Sequence, residues 1–76
     1  MTGFMFGALA HWSETDGWGE IRPDGGGHAD VVVYRDELAV AGVREPRVGD
    51  RFLFRPGVAR RGNGAVDLRP DGWDPR

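Results

Sequence analysis

Short runs in which apolar and polar residues alternate, separated by glycine and proline, constrain the fold of this chain more than any other feature. No window of helical length carries apolar residues at the i, i+3, i+4, i+7 spacing, whereas alternation and turn residues recur about every ten residues. The chain has 76 residues, enough for one small domain with a thin core. We therefore predict a single all-β domain.

Five strands account for the alternation. The third carries three consecutive valines before Tyr34, the strongest β-forming stretch of the chain, and a glycine-rich turn at residues 23–27 follows the second. Between the third and fourth strands, residues 36–41 end at Gly42 and predict one helical turn capped by Asp36. The strands are predicted at residues 5–12, 18–22, 30–35, 50–55 and 65–69.

Alternation also assigns the strand residues to two faces. Closing five short strands around one core removes exposed strand edges, so we expect a closed or nearly closed antiparallel barrel. It would span residues 1–70, with an irregular tail at 71–76 whose Trp73 either folds back on the barrel or stays free. The inward residues are Leu9, Ile21, Val31, Val33, Phe52, Phe54, Val66 and Leu68, and the outward residues are Trp18, Glu20, Val32, Tyr34, Arg51, Leu53 and Arg55.

The composition argues against several classes of function. The absence of Cys removes disulfides and thiolate metal ligands and favours a reducing compartment, most simply the cytoplasm. No apolar run approaches the roughly 20 residues of a membrane span, and the N-terminus does not resemble a signal peptide. Ser13 lies near His11 without a third catalytic partner, and His28 lacks the ligand spacing of a metal site. We expect no enzyme activity, no metal, no cofactor and no membrane partner.

Aromatic residues are concentrated on the first three predicted strands. His11 and Trp12 end the first strand, Trp18 begins the second, and Tyr34 lies on the third. Adjacent antiparallel strands would bring them together, and exposed rings beside Arg form the stacking platforms that bind single-stranded nucleic acid. Trp12 is equally compatible with a place in the core. The net charge of −2 opposes binding to a polyanion, although the distribution of charge matters more than its sum.

The stretch from residue 7 to residue 21 resembles, without a gap, the opening of the bacterial cold-shock domain family, G-x-V-K-W-F-N-x-x-K-G-F-G-F-I. Residues 23–26 look like the family's P-D-G-G, residues 30–36 like D-V-F-V-H-F-S, and residues 48–54 like E-G-Q-x-V-x-F; residues 62–68 resemble its last strand. The resemblance covers about residues 5–69. It implies a five-stranded antiparallel OB-fold barrel that binds single-stranded RNA or DNA, as an RNA chaperone or a regulator of gene expression does.

Several residues depart from the family pattern. Ala10 and Asp16 replace two lysines, while Glu20 and Val32 replace two stacking phenylalanines. Losing two stacking platforms costs roughly 2–6 kcal/mol, so we expect weak binding. Arg35 also replaces a phenylalanine, but its planar guanidinium could stack on a base.

Two further arginines, Arg60 and Arg61, fall in the predicted loop between the fourth and fifth strands. OB folds use this loop to grip oligonucleotides, and a solvated loop tip is the alternative. The predicted function is weak binding of single-stranded RNA or DNA. The alternative is an OB barrel that has lost this activity and contacts a protein, which Asp16 and Glu20 favour because carboxylates repel phosphate. The predicted binding residues are His11, Trp12, Trp18, Tyr34, Arg35, Arg60 and Arg61.

Overall fold

The computed structural model describes residues 3–59 and 62–71, which contain five strands and one short helix. The elements are β1 (Met5–Ser13), β2 (Trp18–Pro23), β3 (Val31–Tyr34), α1 (Arg35–Val40), β4 (Arg51–Ala59) and β5 (Gly62–Pro70). The mostly β class and the short helix between β3 and β4 are confirmed. Apart from Asp71, the predicted tail at 71–76, including Trp73, lies outside the described residues.

The five strands form one sheet that closes into a ring in the order β1-β2-β3-β5-β4. All neighbouring pairs are antiparallel except β3 and β5, which run parallel and meet at the pair Val32–Gly64. The prediction of a wholly antiparallel sheet was therefore wrong. The reason is geometric: a ring with an odd number of strands cannot alternate direction all the way round, so one pair has to be parallel.

The interior of the ring is filled by apolar side chains from all five strands and from α1. Six of the eight residues predicted to point inward are buried there, and the helix adds Leu38. Burying each large apolar side chain contributes about 1.5–3 kcal/mol relative to leaving it in water. The buried core consists of Leu9, Ile21, Val31, Val33, Leu38, Phe52, Phe54 and Ala65.

A bulge in β5 overturns the inward assignment of Val66. Ala65 is buried, whereas Val66 is only half-buried. Asp67 has a positive φ of 50°, and the register between β4 and β5 shifts at this point, so β5 contains an extra residue. The extra residue resets the alternation, and Leu68 therefore packs against the core as predicted, although it is only partly buried.

A second bulge, in β1, decides which faces the last residues of that strand occupy. The register with β2 shifts between Leu9 and His11, so that Ala10 is the extra residue. Simple alternation from the buried Leu9 would turn His11 inward and Trp12 outward. The bulge reverses both, so His11 is exposed and Trp12 packs against the core.

Helix α1 begins two residues earlier than the predicted cap, Asp36, requires. Tyr34 is its N-cap residue, and its backbone N–H donates to Glu37 Oε1 at 2.9 Å. Asp36 lies inside the first turn, where its carboxylate accepts a hydrogen bond from the Glu37 N–H at 2.9 Å. Gly42 follows the helix with a φ of +91°. In the described part of the chain, no helix is long and apolar enough to cross a membrane.

Candidate nucleic-acid interface

The outer side of β1, β2 and β3 carries two rows of paired residues. In one row Ser13 lies opposite Trp18, which lies opposite Tyr34. In the next row Glu20 lies between His11 and Val32. We call this surface the aromatic face; it consists of His11, Ser13, Trp18, Glu20, Val32 and Tyr34.

Three aromatic side chains on neighbouring strands make this surface suitable for stacking. The His11 and Trp18 rings contact each other, with centroids 5.6 Å apart and planes inclined by 55°. This distance lies in the range of favourable aromatic pairs. Trp18 and Tyr34 are directly paired across β2 and β3, which brings their side chains side by side. A single-stranded nucleic acid lying across β1, β2 and β3 would meet one aromatic side chain on each of these β-strands.

Glu20 stands in the middle of the aromatic face. Its cross-strand neighbours are His11 and Val32, and it forms no ion pair with any residue in the described ranges. A carboxylate in this position repels a phosphate backbone. The structure thus places a negative charge among the rings, which weakens any interaction with nucleic acid.

Trp12 and Arg35 do not join the aromatic face but contact each other beside it. Trp12 lies on the core side of β1, and the guanidinium carbon of Arg35 is 5.4 Å from the centroid of its ring. The five predicted binding residues that the structure describes are therefore divided into two groups. The first group is His11, Trp18 and Tyr34 on the aromatic face, and the second is Trp12 with Arg35.

Glu14 holds the second group together. Its Oε1 accepts a hydrogen bond from Arg35 Nη1 at 2.9 Å, its carbonyl oxygen accepts one from Arg35 Nη2 at 2.6 Å, and its Oε2 accepts one from Trp12 Nε1 at 3.0 Å. The hydrogen bonds from Trp12 and Arg35, together with the Arg35 charge, hold the pKa of Glu14 below its ordinary value. We call Trp12, Glu14 and Arg35 the Glu14 cluster. Arg35 is thus already engaged in contacts within the chain.

The turn between β1 and β2 positions this cluster. Gly17 has a φ of +76°, its N–H donates to the Ser13 carbonyl, and its own carbonyl accepts the Arg35 N–H, both at 2.8 Å. Asp16 stabilises the same turn, because its N–H donates to Ser13 Oγ and its carboxylate accepts from that hydroxyl, both at 3.1 Å. Asp16 therefore has a structural role in the position where the cold-shock pattern has a lysine.

Gly19 provides the space that Trp12 occupies. A Cβ at this position would lie 2.1 Å from the His11 carbonyl oxygen and 2.9 Å from Trp12 Cε3. Only a residue without a side chain allows β1 and the indole to approach β2 so closely. Gly19 and the Ala10 bulge together keep Trp12 on the core side.

Arg22 is a candidate binding residue that the sequence analysis missed. It follows Glu20 by two positions on the same side of β2, and its side chain is 68% exposed. Its ion pair with Asp30 is long, at 3.5 Å, and such exposed pairs are readily exchanged for another anion. The alternation that turned Trp18 and Glu20 outward applies to Arg22 as well and could have identified it.

Arg60 and Arg61 lie outside the described residues. The strands on either side extend further than predicted, since β4 continues to Ala59 and β5 begins at Gly62. The expected loop at residues 56–64 is thus largely a β-hairpin, in which Gly57 pairs with Gly64.

In the ranges that the structure describes, no group of three or more His, Asp or Glu residues is arranged to hold a metal ion. No protein-family model matches this chain, and no curated protein matches it.

Proposed function

We propose that this chain is a divergent cold-shock-like OB-fold barrel that binds single-stranded RNA or DNA weakly. The observation that carries the proposal is the placement of His11, Trp18 and Tyr34 side by side on the outer face of three neighbouring strands. The closed ring of five strands, with a short helix between β3 and β4, supports the OB-fold assignment. The proposed role is that of an RNA chaperone or regulator of gene expression in the cytoplasm, without enzymatic activity.

Binding would combine stacking with a small number of phosphate contacts. Bases stack on His11, Trp18 and Tyr34, because every base offers a π-face to an aromatic ring. Arg22 lies at one end of the aromatic face and can exchange Asp30 for a phosphate. Arg35 is held by Glu14 and contributes less than its sequence position implies.

The affinity should be low for two reasons that act together. Two stacking positions are occupied by Glu20 and Val32, which removes roughly 2–6 kcal/mol of stacking energy. In addition, the Glu20 carboxylate adds a repulsion that salt partly screens. We therefore expect binding to be measurable only at low ionic strength.

A fluorescence titration with oligo-dT or oligo-U at low salt tests the proposal. Trp18 should be quenched by a stacked base, and the titration is done in a Trp73→Phe background so that only Trp12 and Trp18 emit. The apparent affinity should fall with salt, with a log–log slope of about −0.7 for each phosphate that is neutralised. The matched control is Trp18→Ala in the same background, which should lose both the quenching and most of the affinity.

A protein-binding module is the second candidate function. Glu20 at the centre of the aromatic face is the observation that favours it, since a carboxylate among aromatic rings suits a basic protein surface better than a phosphate backbone. Absence of oligonucleotide binding at millimolar concentration and low salt would favour this second function over the first.

A further inference from the structure

A separate exposed surface lies on the outer side of β1, β4 and β5. Phe4 and Phe6 are 42% and 49% exposed, and Phe6 pairs with Leu53, which in turn pairs with Arg69. The guanidinium carbons of Arg55 and Arg69 lie 5.7 Å and 5.0 Å from the centroid of the Phe4 ring. We call these five residues the phenylalanine face.

The charges around the phenylalanine face are balanced. Arg55 forms an ion pair with Asp67. Arg51, at the other end of the face, pairs with Asp24 at 2.5 Å and with Asp71 at 3.7 Å. An apolar centre bordered by arginines that already have carboxylate partners does not suit a phosphate backbone. It has the composition of a protein interface, in which aromatic residues and Arg are enriched.

We propose that the phenylalanine face binds a second copy of this chain and forms a weak symmetric homodimer. In a two-fold symmetric dimer, the same patch on each copy forms the interface. The patch therefore has to be complementary to itself, with positive and negative charges around a shared apolar centre. Phe4, Phe6 and Leu53 supply that centre. The Arg51 and Arg55 ion pairs at its border allow each copy to offer carboxylates to the guanidiniums of the other.

The size of the face sets the expected strength of the dimer. The face is three strands wide, at about 4.8 Å per strand, and about five residues long, at about 3.3 Å per residue. Its area is therefore roughly 250 Å². A stable interface buries about 800 Å² on each partner, so this one belongs to the weak class. A face this small supports only a weak, transient contact, so we expect self-association only at protein concentrations of about 0.1–1 mM.

Sedimentation equilibrium on the full chain, from about 20 µM to 1 mM, tests the proposal. The average mass should rise with concentration from the 8.4 kDa of one chain towards twice that value. Phe6→Ser should keep the chain monomeric over the same range, and Phe4→Ser, which lies before β1 and so changes no strand residue, should do the same. Val48→Ser is the matched control, because Val48 is 65% exposed outside the face and its loss should leave self-association unchanged. Circular dichroism confirms that each variant is folded.

Several results would overturn the proposal. One is a wild-type chain that stays monomeric at 1 mM, and another is self-association that survives both Phe6→Ser and Phe4→Ser. A monomeric wild type with a self-associating Trp73→Ser variant would show that the C-terminal segment occupies the face. An oligonucleotide affinity that falls in Phe6→Ser but not in Trp18→Ala would place nucleic acid on the phenylalanine face, and this would also refute the proposed role of the aromatic face.

Discussion

The aromatic face and the phenylalanine face lie on the same ring of strands, and both carry aromatic rings that are exposed or half-buried. They differ in how charge is arranged around those rings. The aromatic face has at its centre a carboxylate, Glu20, that forms no ion pair with any described residue, and it has an exchangeable cation, Arg22, at one end. The phenylalanine face has arginines over its rings, but Arg51 and Arg55 are already paired with carboxylates. Aromatic rings alone therefore do not specify a ligand. In the functions proposed above, the availability of cations decides whether a face binds a phosphate backbone or a protein.

Restoring the two missing stacking rings should produce the largest change on the aromatic face. The double variant Glu20→Phe, Val32→Phe places rings at two directly paired positions of β2 and β3 and removes the central carboxylate. The affinity for oligo-dT should increase by roughly 2–6 kcal/mol if both rings stack, which is about thirty-fold to over ten-thousand-fold. Fluorescence titration at low salt measures it.

The matched control for this variant lies on the other face. Leu53→Phe adds a ring to the phenylalanine face, where it should leave oligonucleotide affinity unchanged. Added phenylalanines reduce solubility, so light scattering is checked first. A soluble, folded double variant that binds no better than the wild type would show that Glu20 and Val32 do not occupy stacking positions.

Gly19→Ala tests what keeps Trp12 away from the aromatic face. Its new Cβ would meet the His11 carbonyl at 2.1 Å, so β1 and the Trp12 indole have to shift. Thermal or urea unfolding should show a loss of about 1–3 kcal/mol, and the emission of Trp12 should move towards that of an exposed indole. Gly27→Ala is the control, because no atom of the described residues lies within 4 Å of a Cβ placed there. Equal stability of the two variants would contradict the close approach of β1 and β2.

Removing Arg22 should have a smaller effect than the substitutions above, and this effect should appear in the salt dependence of oligonucleotide binding. If Arg22 neutralises one phosphate, Arg22→Ala should make the log–log salt slope shallower by about 0.7. Arg60→Ala with Arg61→Ala should reduce it further if both residues contact phosphate. Arg55→Ala, on the phenylalanine face, should leave the slope as it is. A slope that responds to Arg55 but not to Arg22 would reverse the roles assigned to the two faces.

Most of the core could be predicted from the sequence, because alternation reports directly which strand residues face inward. Leu9, Ile21, Phe52 and Phe54 are buried as the pattern predicts. The error at Val66 comes from the bulge in β5, since an extra residue such as Asp67 carries no mark in the sequence yet reverses the alternation from one side of it to the other. The parallel pair follows from the odd number of strands once the ring is known to close.

The candidate site could be predicted only in part. Trp18 and Tyr34 come together because they lie on consecutive strands, and such neighbours usually pair. Glu14 and Arg35 are 21 positions apart in the sequence, and their contact depends on the turn that Gly17 forms and on α1 beginning at Arg35. Neither feature has a periodic signal, so the role of Glu14 became apparent only in the folded chain.

The smallest expected effect is a pH-dependent change in the Glu14 cluster that leaves the aromatic face unaffected. The folded chain holds the pKa of Glu14 below its ordinary value of 4.5, because the carboxylate accepts hydrogen bonds from Trp12 and Arg35. The stabilisation is therefore complete above about pH 4.5 and is lost as the pH falls through the lowered pKa. The emission of Trp12 should change in that window as its hydrogen bond to Glu14 breaks. Glu14→Gln, in the Trp73→Phe background, should abolish this step while leaving the quenching of Trp18 by oligo-dT at neutral pH in place.

A step that persists in Glu14→Gln would have to be assigned to another carboxylate. Asp24 also has its pKa lowered, by Arg51, but it lies at the border of the phenylalanine face. Loss of oligonucleotide binding in Glu14→Gln would instead show that the cluster and the aromatic face act as one site.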